Sequence, residues 1–306
     1  MKILRYKTKN GPAIGVIIKE KIINLNLACS ITGITAPSNA LSAMNDKLYL
    51  AIAENAYINH PETFLGEDLD LLPPVDRPGK FFALAANYSS HADEVGMVHR
   101  DKKTYVPRVF PKLSSTIVGP NQDIVIPSVS DMVDYEVEIS LLIGKRADRV
   151  TEQQASQYIA GWMVFNDVTG RRMNFPNIKE FTQEDEPWYF LYGKWCNGFA
   201  VLGPWLVGVD ELKDPSNLRM ELKVNGEIRQ SALVGEMTFN PTEAISFISS
   251  ICVLEPGDII SMGTPSGIGE MGAGCLADGD VVEASIETIG SQCNRVTNQV
   301  NENIKN

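Results

Sequence analysis

The sequence predicts an α+β, strand-rich protein with a small N-terminal α/β domain over residues 1–74 and a large domain over 75–296. Three observations carry this. Apolar runs of strand length dominate beyond residue 78, with few helical stretches between them. The dipeptides Asn10-Gly11 and Asn225-Gly226 each join two such runs, and Asn-Gly readily adopts the left-handed turn that a tight hairpin needs. Leu71-Leu72-Pro73-Pro74 interrupts every periodic pattern and marks the boundary.

The elements follow in order. Ile3–Thr8 and Ala13–Ile18 flank the first hairpin. Residues 37–65 read as helical, with Leu41, Met44, Leu48 and Ile52 at helix spacing. Strands are expected over 80–86, 135–143, 161–168, 199–207, 219–224, 258–262 and 280–287. Thr151 with Gln154 forms a capping box ahead of a helix through Ala155–Ile159. Asn240-Pro241 supplies a cap and a first-turn proline for a helix carrying Ile245, Ile248 and Ile251. The tail 297–306 is polar and expected to fray.

Composition narrows the function. Lys+Arg 27 against Asp+Glu 38 gives a net charge of −11, and without a basic run nucleic acid is a poor partner. No apolar run approaches the ~18 residues of a membrane span. The start Met1-Lys2-Ile3-Leu4-Arg5-Tyr6 turns polar too soon for a signal peptide. Cys29, Cys196, Cys252, Cys275 and Cys293 are scattered, which points to reduced thiols and a cytoplasmic protein.

The chemistry concentrates in Asp134-Tyr135-Glu136-Val137-Glu138, which leads into Ile139-Ser140-Leu141-Leu142-Ile143. Strand alternation puts Asp134, Glu136 and Glu138 on one face, neighbours roughly 6.5–7 Å apart. Carboxylates crowded at the mouth of a core strand need a cation, and Mg²⁺ or Ca²⁺ suits oxygen ligands. The plainer reading is the solvent face of an edge strand. Asp167 closes the run Gly161–Asn166 ahead of Arg171-Arg172, as a metal ligand or half of a salt bridge. His91 and Glu94 share a helix face if a helix begins near Ser89; the carboxylate would orient the imidazole as a general base. A surface pair is the alternative. His60 reads as surface, and His99 has no evident partner. Gly263-Thr264-Pro265-Ser266-Gly267-Ile268-Gly269 allows a tight loop with free N–H groups, but it lacks the dinucleotide pattern.

Taken in order, these pieces resemble the fumarylacetoacetate hydrolase family over roughly residues 78–296. The motifs are Asn87-Tyr88-x-x-His91-x-x-Glu94, Glu136-x-Glu138, Asn166-Asp167-Val168-Thr169, Gly193-Lys194, Leu202-Gly203-Pro204, Pro256-Gly257-Asp258, Gly263-Thr264-Pro265-x-Gly267-x-Gly269 and Gly279-Asp280-Val281-Val282-Glu283. The resemblance implies a mixed β-sandwich or β-roll large domain and a homodimer. It implies Mg²⁺, or else Mn²⁺ or Ca²⁺, on Glu136, Glu138 and Asp167. The implied substrate is a small 2-oxo acid that chelates the metal. His91 with Glu94 would activate water, and Lys194 would stabilise developing negative charge. Tyr88, Arg171, Asn174, Gly263 and Thr264 would contact substrate. The implied activity is hydrolysis of a C–C bond in a β-dicarbonyl 2-oxo acid. A lyase or isomerase on the same site, or a non-catalytic binding protein, are the alternatives.

The chain departs from the family pattern at Arg172, at Asn174 where Gln is usual, and at Trp195-Cys196-Asn197. Ala85-Ala86 stands where a glycine usually precedes Asn-Tyr, and an acidic, aromatic insertion spans 180–190.

Overall fold

The computed structural model describes residues 1–66, 68–98, 101–175 and 182–299. His99, Glu180 and Phe181 lie outside the described residues.

Among the described residues there are two large sheets and a two-stranded pair, Ser130–Asp134 with Thr169–Met173. The larger runs, in spatial order, through Phe64–Leu65, Lys21–Asn24, Gly11–Ile18, Lys2–Thr8, Ala200–Gly208, Ile159–Asn166, Val137–Ile143, Ile259–Ser261, Phe81–Ala85 and Arg108–Pro111. The strands of the first 24 residues are therefore continuous with those of the large segment, through Lys2 opposite Val207 and Ile3 opposite Leu206. The second sheet has five strands: Glu227–Leu233, Arg219–Val224, Val281–Ile286, Gly290–Asn298 and Ile124–Ile126. Both expected hairpins form: Asn225-Gly226 turns between Val224 and Glu227, whereas Lys9-Asn10 turns between Thr8 and Gly11, so that Gly11 is already the first residue of its strand.

The apolar pattern explains the layers. Val137, Ile139, Leu141 and Ile143 alternate on one face of their strand and enter a core shared with Met220, Leu222, Val282 and Ala284 of the second sheet. On the opposite face Leu142, Met163 and Phe165 join a second core with Ile23, Ala28 and Ile52, beneath the helices Leu25–Thr32 and Lys47–Asn59. Every residue of Val137–Ile143 and Ile159–Asn166 is buried, so polar side chains on these strands sit inside the protein.

Local signals hold with adjustments of length. The helical stretch of 37–65 divides into Ala40–Asn45 and Lys47–Asn59, each capped by its own Asn39 or Asp46. Thr151 and Gln154 do form a capping box, but the α-helix is only Glu152–Ala155, and a 3₁₀ turn follows. The buried strand beginning at Ile159 pulls the chain out of the helix. Asn240 caps the helix Pro241–Ile251 through N–H bonds from Thr242 and Glu243. The tail is ordered further than expected: Thr297 and Asn298 complete a strand paired with Val125 and Ile126. Among the described residues, no helix is long and apolar enough to cross a membrane, and all five cysteines are free thiols.

Candidate active site

Several strands bring polar ends to one edge of the large sheet. Glu138 lies one residue inside the start of Val137–Ile143, and Asp167 immediately follows Ile159–Asn166. These strands are antiparallel neighbours with Val137 opposite Asn166, so the start of one meets the end of the other. Asn166 Oδ1 accepts the Glu136 N–H at 2.9 Å, and the Asp167 N–H donates to Glu136 O at 2.9 Å. This double clasp fixes the carboxylates: one oxygen each of Glu136, Glu138 and Asp167 lies within 4.8 Å of the others, and all three residues are buried.

Asp134 keeps the face that alternation gives it, because Val133, Tyr135, Val137 and Ile139 share one core and Arg171 bridges Asp134 to Glu136, but it is not one of the three carboxylates that draw together. Asp134 ends a separate strand, Ser130–Asp134, and the ladder resumes only at Val137. Asp134 instead accepts N–H bonds from Gly269 at 2.7 Å and Glu270 at 3.1 Å, with Arg171 Nε at 2.8 Å. It anchors the end of the glycine-rich loop.

Among the described residues, three cations close on these carboxylates. Lys194 Nζ lies 2.8 Å from Glu136 Oε2 and 2.7 Å from Asp167 Oδ2. Arg171 Nη2 lies 2.6 Å from Glu136 Oε1. Lys112 Nζ lies 2.7 Å from Asp167 Oδ1 and donates to the carbonyls of Lys194 and Phe199. Burial opposes the Glu136 charge, but Lys194 and Arg171 outweigh it, and the carboxyl is held down at about 2. Glu138 has no such cation: burial first, then the Asp167 and Glu136 charges, push its carboxyl well above the usual range. Its Oε2 accepts from the Ser261 hydroxyl and, at 3.0 Å, from the Gly263 N–H. Burial would lower the Lys194 ammonium, yet Asp167 and Glu136 raise it overall. Burial lowers Lys112 despite Asp167.

Among the described residues no salt bridge reaches Glu138, and a buried all-oxygen trio fits a hard divalent cation, with Glu136, Glu138 and Asp167 as its ligands.

His91 and Glu94 lie in the short helix Ser89–Glu94, with His91 Nδ1 3.1 Å from Glu94 Oε2. The other Glu94 oxygen accepts the Gly267 N–H at 2.8 Å, which ties the pair to the glycine-rich loop. The helix is aimed by a bend at Ala86, whose φ of 50° lies where glycine is favoured. Asn87 then pins the bend from inside, donating to the carbonyls of Phe239 and Met262 and accepting the Phe239 N–H.

Other sequence candidates occupy different settings. The Tyr88 hydroxyl is buried and donates to Val234 O at 3.1 Å. Thr264 Oγ1 donates to Val137 O and accepts from Gln230 Nε2, each at 2.9 Å. Asn174 and Arg172 are exposed. The described part of the 180–190 insertion leads into the helix Glu186–Lys194, whose last residue is the buried Lys194. Phe110 and Phe190 of that neighbourhood hold their ring centroids 5.3 and 5.7 Å from Lys194 Nζ.

Sequence reasoning missed Lys112, Ser261 and Gln230. One signal was available: Lys112 and Ser261 are polar residues in strand-like apolar surroundings, Val109-Phe110-Pro111-Lys112-Leu113 and Ile259-Ile260-Ser261-Met262.

The chain is similar to known proteins over most of its length. Residues 80–297 match the model of the fumarylacetoacetate (FAA) hydrolase C-terminal domain. An uncharacterised protein of Pyrococcus abyssi is 43% identical over 214 residues, covering 70% of this chain and 88% of that one. A mitochondrial oxaloacetate tautomerase of Rattus norvegicus is 35% identical over 249 residues, covering 81% of this chain and 75% of its own. The solved structure of a fumarylacetoacetate hydrolase from Exiguobacterium antarcticum superposes with a TM-score of 0.79 at 28% identity, covering 98% of this chain and 100% of that one.

Proposed function

We propose that this chain, which belongs to the fumarylacetoacetate hydrolase family, is a divalent-metal-dependent enzyme that forms and protonates the enolate of a small dicarbonyl 2-oxo acid. One observation carries the reading: a buried oxygen trio and a histidine–carboxylate pair converge at one end of the sheet. A Mg²⁺ or Mn²⁺ ion bound by Glu136, Glu138 and Asp167 would polarise the 2-oxo group and stabilise the enolate. Lys194 adds a fixed positive charge at the same place, already oriented by its two carboxylates, so little reorganisation accompanies the reaction. Glu94 holds the His91 ring through Nδ1, which leaves Nε2 free to take or give a proton. That proton transfer suffices for keto–enol tautomerisation, and the likeness to oxaloacetate tautomerases favours this reaction.

The second reading is hydrolysis of a C–C bond. There His91 would deprotonate a water that attacks the distal carbonyl, and the likeness to the Exiguobacterium hydrolase favours it. An assay separates the two. Purified protein is given oxaloacetate, then acetylpyruvate and longer acylpyruvates, with Mg²⁺ and with EDTA. Mg²⁺-dependent enol–keto relaxation of oxaloacetate without loss of substrate supports the tautomerase. Pyruvate released from an acylpyruvate supports the hydrolase. Inactivity on every compound, or rates unchanged by EDTA, would refute both.

A further inference from the structure

We propose that Arg108 is a specificity-determining residue that binds a second carboxylate at the far end of the substrate, so that the site selects 2-oxo acids carrying two carboxylates. The inference rests on the 2-oxo acid reading above and adds the chemistry of the far end to it.

Strand alternation puts Arg108, Phe110 and Lys112 on one face of the strand Arg108–Pro111 and its continuation. The inner two already belong to the site. Lys112 Nζ lies 2.7 Å from Asp167 Oδ1, and the Phe110 ring centroid lies 5.3 Å from Lys194 Nζ. The register across the large sheet agrees. Ser140 pairs with Ser261, Ser261 with Ala83, and Ala83 with Phe110. Two residues further along, the corresponding row is Glu138, Gly263, Ala85 and Arg108. Its ends are on the page: the Gly263 N–H donates to Glu138 Oε2 at 3.0 Å, and Ala85 pairs with Arg108.

Three strand spacings, about 14 Å along the sheet, therefore separate Glu138 from Arg108. The face is concave, because Phe165 and Phe81 are equally far apart along the sheet and yet their rings meet at 5.1 Å. Between Glu138 and Arg108 stand only Gly263 and Ala85, which raise nothing larger than a methyl group. A substrate held by its 2-oxo acid end at the carboxylate trio thus has a floor of small residues running towards Arg108.

Arg108 is exposed, and among the described residues no carboxylate pairs with it. It meets Met97 Sδ at 2.9 Å and the Tyr105 ring at 6.0 Å, and neither balances its charge. Lys102, the other cation of the cleft beside the His91 helix, is spent on Glu243 at 2.8 Å. The guanidinium keeps a fork of donors that matches a carboxylate.

The test compares fumarylpyruvate with crotonylpyruvate, in which a methyl group replaces the far carboxylate, by the Mg²⁺-dependent change in enol absorbance. Wild-type kcat/KM should be at least roughly tenfold higher for fumarylpyruvate, the usual worth of a hydrogen bond to a charged group. The advantage should sit in KM and shrink as salt rises, because Arg108 is exposed. Arg108→Met keeps the stem and removes the charge. It should abolish the advantage by lowering kcat/KM for fumarylpyruvate while moving crotonylpyruvate by about twofold or less, and Arg108→Lys should retain part of it. Equal wild-type values for the two compounds, or a variant that lowers both alike as a structural role would, would overturn the assignment and leave the proposed function standing. So would silence on both compounds while acetylpyruvate or oxaloacetate reacts. Inactivity on all four would overturn both readings.

Discussion

Replacing Lys194 with Met tests the charge balance most directly. Met keeps the length of the side chain and removes the ammonium, which is 1% exposed and touches both Glu136 and Asp167. Removing one partner of a buried ion pair costs about 3–5 kcal/mol. The lower end applies, because Arg171 still neutralises Glu136 and Lys112 still neutralises Asp167. At ~2–3 °C per kcal/mol for a chain of this size, about 3 kcal/mol lowers the melting temperature by about 6–9 °C. The assay is thermal unfolding followed by circular dichroism at pH 7.5, in EDTA and again in Mg²⁺. The cation should replace the missing charge and return at least half of the loss. The pH dependence has a definite sign. Without Lys194 the Glu136 carboxyl, held down at about 2, loses its largest depressing charge and its folded pKa rises. The stability that this depressed carboxyl contributes is present above its unfolded value and lost as pH falls towards about 2, so the deficit in EDTA should shrink as pH falls through the carboxylate range. A fall of under 2 °C in EDTA, or a loss that Mg²⁺ leaves untouched, would refute the reasoning.

Three further outcomes follow from the same geometry. Glu138 already has a folded-state pKa raised well above its ordinary value, so its charge opposes folding at any pH above that ordinary value. Glu138→Gln should match or exceed wild-type stability in EDTA, with a gain that grows as pH rises, while Mg²⁺ binding measured by calorimetry is lost. His91→Ala should leave Mg²⁺ affinity within twofold of wild type and lower turnover by roughly 10²–10⁴, the usual worth of a general base; unchanged turnover would remove His91 from the mechanism. Asn87→Ala leaves the Phe239 and Met262 backbone groups without their buried partners and should cost about 2–4 kcal/mol in urea unfolding. A cost under 1 kcal/mol would mean that water replaces the amide.

Some features were legible because they are local. The Asn-Gly hairpins depend on a few residues and the strands beside them, and both hairpins formed, the first with its turn one residue earlier, at Lys9-Asn10. The Asn240 cap is likewise a matter of adjacent residues. The spacing of His91 and Glu94 needed only a helix start near Ser89, and the helix begins there. Misreadings came where a longer-range contact overruled the pattern. The helix expected through Ile159 stops at Ala155 because Ile159 is needed in a central strand. Thr297 and Asn298 read as a frayed tail, and a strand at Ile124–Ile126 makes them part of a sheet.

The sequence by itself determined the family, the strand-rich α+β class and the residue types on which the proposed chemistry rests. Each of these is written in short ordered motifs or in periodicity, which the chain carries before it folds. Only the tertiary structure decided how the charges are distributed. That Glu136 is doubly neutralised while Glu138 is not depends on Lys112, Arg171 and Lys194 arriving from three separate segments. Coulomb energy depends on distance and burial, and both are properties of the packed molecule.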